Sequence, residues 1–149
     1  MPKLFNTPFE VSLRILLILY AVKPLSMTID RISAYDLMSV YGQDFGISEQ
    51  NLHGENPFSF SEFSAKRKQL NDALKTLLLD GSASVERSPG GFLFGLNEQG
   101  RNFAKSMKSE YAATYMETVK KTHQMFKETS DASLISMITK KALASLKRR

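Results

Sequence analysis

Leu77-Leu78-Leu79-Asp80-Gly81, then Ser84-Val85-Glu86-Arg87, Ser88-Pro89-Gly90-Gly91, Phe92-Leu93-Phe94-Gly95-Leu96 and Asn97-Glu98-Gln99-Gly100 decide the fold class. This run leaves an apolar helix, makes a tight reversal and enters a new helix. Gly81 suits the left-handed position that follows a helix end. Ser88-Pro89-Gly90-Gly91 is a strong turn signal between two short segments of strand character, which predicts a β-hairpin with a four-residue connection. Asn97 is a good N-cap, and Glu98 suits the positive end of the helix that follows. Gly100 weakens the first turn of that helix, so its presence predicts a close packing contact there.

Upstream, Phe63, Leu70, Leu74, Leu77 and Leu78 form one apolar face of a helix starting near Ser61. Ser61, Glu62 and Ser64 supply cap chemistry, and Lys66, Arg67, Lys68, Asp72 and Lys75 fall mostly on the opposite, exposed side. Before it, Thr28 or Ser26 caps a helix to about Tyr41, with Ile29, Ile32, Tyr35 and Met38 at helical spacing. The stretch Val11–Val22 is broken only by Ser12 and Arg14. Its unbroken part is too short to cross a bilayer, and Lys23-Pro24 stands where a signal peptide needs small residues. It reads as a buried first helix, with Pro8 in its first turn and Asn6 or Thr7 as cap. Gly42 to Ser59 is polar and aperiodic, at about eighteen residues a binding loop or an insertion.

Downstream, Phe103, Met107, Tyr111, Tyr115, Met116 and Val119 mark one long helix from Asn97 to about Glu128. Ser130 or Asp131 caps a last helix whose face is Leu134, Ile135, Ile138, Leu143 and Leu146. Three helices, a hairpin and a long helix are the order of a winged helix. The expected fold is therefore mainly α: a winged-helix-like core over residues 1–100, with a polar loop at 42–60 and a β-hairpin wing at 83–96. Residues 97–149 add a C-terminal helical extension, a long helix followed by a basic one. Such a fold serves DNA binding and protein binding alike.

Composition narrows the chemistry. The 149 residues suit one domain, and a chain of this size needs no disulfide or metal staple. The absence of cysteine excludes a disulfide framework, a cysteine nucleophile, an iron–sulfur cluster and cysteine-ligated zinc. His53 and His123 stand on a loop and a helix with no metal-site carboxylate spacing around them. Glycines 90, 91, 95 and 100 lack the spacing of a phosphate-binding loop, so ATP hydrolysis would belong to a partner. No catalytic set, metal or cofactor is expected, and the protein is read as cytoplasmic with no membrane partner.

Charge is divided unevenly. The net +5 comprises −2 over residues 1–100, from nine Lys/Arg and eleven Asp/Glu, and +7 over the rest, from eleven and four. Lys66, Arg67, Lys68, Lys75 and Arg87 are candidate contacts to DNA phosphates, although only Gln69 and Asn71 nearby suit base reading. Lys140, Lys141, Lys147, Arg148 and Arg149 are candidates for DNA or an acidic partner. The plainer account of both groups is a solvated surface.

Four ordered segments add a resemblance. They are Phe9-Glu10-Val11-Ser12-Leu13-Arg14-Ile15-Leu16-Leu17, Thr28-Ile29-Asp30-Arg31-Ile32-Ser33-Ala34-Tyr35-Asp36-Leu37, Asn51-Leu52-His53-Gly54-Glu55-Asn56-Pro57-Phe58 and Ser61-Glu62-Phe63-Ser64-Ala65-Lys66-Arg67. Their succession, from about residue 5 to about residue 120, resembles the second middle-component family of bacterial ABC-three-component systems. Gly54 stands where family patterns often carry proline. The resemblance implies a non-enzymatic middle subunit that bridges an SMC/Rad50-like coiled-coil ATPase and an effector such as a nuclease. It also implies a setting of anti-phage or anti-plasmid defence, as in Lamassu-type systems, with double-stranded DNA as a further candidate partner. The alternative from the fold alone is a stand-alone winged-helix transcription regulator.

Overall fold

A computed structural model describes residues 7–52 and 60–147, with side chains of 60–64 and 145–147 outside the description. Among the described residues, six helices and one hairpin run in the order α1 (Pro8–Ala21), α2 (Ile29–Val40), α3 (Phe60–Leu79), β1 (Ala83–Ser88), β2 (Gly91–Leu96), α4 (Glu98–Ser106), α5 (Glu110–Phe126) and α6 (Asp131–Lys147). The chain is mainly helical, and the arrangement is compatible with a winged helix.

Helix starts follow local cap chemistry. Thr7 accepts from the Glu10 N–H at 3.2 Å, and Thr28 accepts from the Arg31 N–H at 3.1 Å. Asn97 accepts from the Gly100 N–H at 3.1 Å. Each such side chain satisfies a donor that the helix cannot. The caps expected from Ser61, Glu62 and Ser64 lie outside the described side chains.

The hairpin is antiparallel, running from Ala83↔Leu96 to Ser88↔Gly91. Its connection is therefore the two residues Pro89-Gly90, shorter than the four expected, because Ser88 and Gly91 pair. The Ser88 hydroxyl reinforces that pair by donating to the Gly91 carbonyl at 2.7 Å. Met27, between α1 and α2, bridges Phe94 on the free edge of β2 through bonds of 2.9 and 2.7 Å. The hairpin is thus anchored to the helical body by backbone as well as by side chains.

The single long helix expected from Asn97 to Glu128 is two helices. Met107 and Ser109 are extended, and Ser109 caps α5 by accepting from the Ala112 N–H at 3.1 Å. The break lets α4 lie on α1 and β2 while α5 packs on α1 and α2. Gly100 marks the close approach: a Cβ there would collide with the Ser82 carbonyl oxygen.

One core takes side chains from α1, α2, α3, α5 and α6. Ile15, Ile18, Ile32, Leu37, Leu70, Leu74, Val119, Leu134 and Ile138 all lie within it. The stretch after α2 contributes too, since Phe45 and Ile47 are buried. The first part of the polar 42–60 segment is thus tied to the core, and residues 53–59, His53 among them, lie outside the description.

Candidate functional site

Arg14 sits in the apolar run of α1, where an unpaired charge would be prohibitively costly. Its Nε donates to Asp36 Oδ1 at 2.9 Å, and its Nη2 reaches Oδ2 at 3.5 Å. Lys66 Nζ lies 3.4 Å from the same Oδ2, and the Tyr115 hydroxyl donates to Oδ1. One carboxylate on α2 therefore gathers α1, α3 and α5. Burial alone would raise the Asp36 pKa, but Arg14 and then Lys66, with the donated hydrogen bonds, outweigh it and hold the group well below the carboxylate range. Burial and then the Asp36 charge push the Tyr115 hydroxyl well up, so it stays a donor. Neighbouring Tyr111, stacked on Tyr115 at 6.1 Å, is pushed up to about 12, chiefly by burial. An ionised carboxylate fully enclosed by donors is suited to holding helices together, not to passing protons.

A second polar node fixes the α5–α6 corner. Arg31 Nε meets Asp131 Oδ1 at 2.8 Å, and the Thr28 hydroxyl donates to Asp131 Oδ2 at 2.6 Å. Arg31 also donates to the Phe126 carbonyl at 3.3 Å and to the Thr129 carbonyl. Its Nη1 lies 3.1 Å from the Tyr35 hydroxyl, which in turn lies 2.8 Å from His123 Nδ1. Burial, followed by the Arg31 and Lys127 charges, lowers the His123 pKa and favours a neutral ring.

The candidate cations separate on this framework. Lys66 was expected on the exposed side of its helix; it is buried, because the Asp36 carboxylate draws it inward. Arg67 pairs with Asp30 at 2.6 Å, and Lys68 with Asp72 at 3.6 Å, one turn along α3. Lys75 is exposed on the same helix. Arg87, at the hairpin, lies over the Phe92 ring at 5.7 Å. Three of these five cations therefore face three different carboxylates. On α6, Lys140 and Lys141 are exposed, with Lys141 over the Phe45 ring at 5.5 Å. The Lys147 side chain, Arg148 and Arg149 lie outside the description.

A groove of about 650 Å³ opens between α1, α3 and α4. Phe9, Leu13, Leu16, Ala73, Leu77 and Phe103 give it an apolar lining, and Asp72 and Asp80 lie among them. Among the described residues no group of three His, Asp or Glu side chains could hold a metal ion, and no helix is long and apolar enough to cross a membrane.

No spacing in the sequence joins the residues of the Asp36 cluster, although one of them carries a signal. A lone arginine in an apolar helix requires a buried counter-charge, and Asp36 lies among apolar residues of α2. Nothing local, however, turns Lys66 inward.

Fold and polar framework together define a mainly helical body with a backbone-anchored hairpin, its helices tied through buried charges. The family model described as ABC-three component (ABC-3C) system Middle Component 2 matches residues 4–148, and the chain belongs to that family. The match extends through α5 and α6, past the limit near residue 120 expected from the motifs. No curated protein and no solved structure matches the chain.

Proposed function

We propose that this chain is a non-enzymatic accessory subunit bridging an SMC/Rad50-like ABC ATPase and an effector, such as a nuclease, in a bacterial anti-phage or anti-plasmid defence complex of the Lamassu kind. The observation that carries this reading is its membership, over residues 4–148, of a middle-component family of three-component systems. The architecture supports it in two ways. Buried ion pairs and a single core give a rigid body able to present fixed faces to two partners. The excess of cations in residues 101–149 gives that part of the sequence a sign opposite to the rest, which favours distinct docking surfaces over a uniformly basic DNA reader.

Direct DNA contact, in this reading, falls to the exposed cations Arg67, Lys68, Lys75, Arg87, Lys140 and Lys141 and not to the buried Lys66. The test is reconstitution. The chain is co-expressed with the products of its neighbouring genes and purified by size. A stable assembly containing a coiled-coil ATPase is the expected result. If no ATPase is encoded nearby, or none co-purifies, the reading is lost. A specific operator footprint by the isolated chain would instead support a transcription regulator.

A further inference from the structure

The groove between α1, α3 and α4 lies outside both polar nodes, and the bridging role assigns it nothing specific. Its floor is built by buried Val11, Leu16 and Leu77. Phe9 and Phe103 stand in its lining with 65% and 43% of their surface in water. Leaving two aromatic side chains exposed along an apolar trough forgoes stabilisation that a covering partner restores. A volume of about 650 Å³ admits several large side chains.

The charge in the groove has one sign. Among the described residues of its lining, Asp72 and Asp80 are the ionisable ones, with no lysine, arginine or histidine beside them. Lys68 approaches Asp72 from outside the groove at 3.6 Å, but the pair is exposed and weakly held. Asp80 spends Oδ1 on the Ser82 N–H at 3.0 Å and remains exposed.

We infer that this groove docks a segment of a partner protein that carries large apolar side chains flanked by lysine or arginine. Apolar side chains fill the trough between Phe9 and Phe103, and the cations meet Asp72 and Asp80. This rests on the middle-component reading, which makes one of the other two components the donor of the segment.

The test uses the full chain and the two purified partner components, with affinities measured by titration on an immobilised chain. Phe9→Ser/Phe103→Ser removes the aromatic contacts, Asp72→Asn/Asp80→Asn removes the charges, and Leu25→Ser alters an exposed apolar residue elsewhere. The aromatic variant is expected to weaken binding to one component about tenfold or more. The Asn variant is expected to weaken it less and to flatten its salt dependence, while Leu25→Ser binds as wild type. Thermal melts report folding, and Phe9→Ser alone carries the test if Phe103→Ser destabilises the fold.

Wild-type binding with both groove variants unaffected overturns this inference and leaves the bridging role standing. Binding of neither component by wild type overturns both. A wild-type dimer that the groove variants turn into a monomer would assign the groove to a second copy of the chain and overturn the inference.

Discussion

Asp36 stands between two buried cations, which makes its loss costly to the fold. Asp36→Asn leaves Arg14 and Lys66 buried without a counter-charge, and one-sided removal of a buried ion pair costs about 3–5 kcal/mol. Urea unfolding should show that loss in midpoint; a change under about 1 kcal/mol would refute the account. The sign of the pH dependence follows. A carboxylate held below its ordinary range gives stability that is complete above about pH 4 and is lost as pH falls through the depressed value. Asp36→Asn should therefore show a flatter acid limb than wild type. His123 acts at milder pH: its lowered pKa means the folded state resists protonation, so its contribution is present above about pH 6.5 and is lost as pH falls through the lowered value. His123→Gln should melt with less pH dependence between about pH 7 and pH 5 than wild type. The sequence displays Arg14 and Asp36 as anomalies in apolar surroundings, but their pairing across 22 residues is a tertiary fact.

Between α4 and α5 the apolar residues Phe103, Met107, Tyr111 and Tyr115 recur every fourth position. That spacing continues in step across the break, so periodicity alone reads one helix. Ser109-Glu110 is the local sign of a new start, and its cap is formed. Hairpin and first three helices were legible because turn and cap residues punctuate them; the bridge of Met27 to Phe94 was not, since one residue pair leaves no periodic trace. Gly100, by contrast, announced its contact. Gly100→Ala would drive a methyl group into the Ser82 carbonyl, and we expect a loss of about 1–3 kcal/mol, read as a lower melting temperature. A wild-type melting temperature would contradict that packing. The α5–α6 corner depends on Arg31, which holds Asp131 and two backbone carbonyls. Arg31→Met should cost about 1.5–3 kcal/mol and raise amide exchange first at the start of α6. Uniform acceleration over all helices would instead mean that α6 opens only with the whole fold.

Across the whole molecule, the charge boundary near residue 100 does not coincide with a boundary in the core. The cation-rich C-terminal third also supplies Tyr115, Val119, Leu134, Ile138 and Ala142 to the interior. α5 lies against α1 and α2, and α6 against α2 and α3, so the helices that look like an arm in sequence close the fold in space. Their hydrophobic stripes read first as core, with an exposed partner-binding face as the alternative, and the contacts decide for the core. A chain ending after Ser106 would remove the helices that pack on α2 and α3 and would strip Asp36 of its Tyr115 donor and Arg31 of its Asp131 partner. Burial of a large apolar side chain is worth about 1.5–3 kcal/mol, so the loss of Tyr115, Val119, Leu134 and Ile138 together is on the scale of a domain's entire stability. The truncated chain is expected to lack a cooperative thermal transition and to bind a hydrophobic dye, measured by circular dichroism and fluorescence. A sharp transition in that fragment would mean that the first three helices and the hairpin fold alone, with α5 and α6 an addition laid over a finished core.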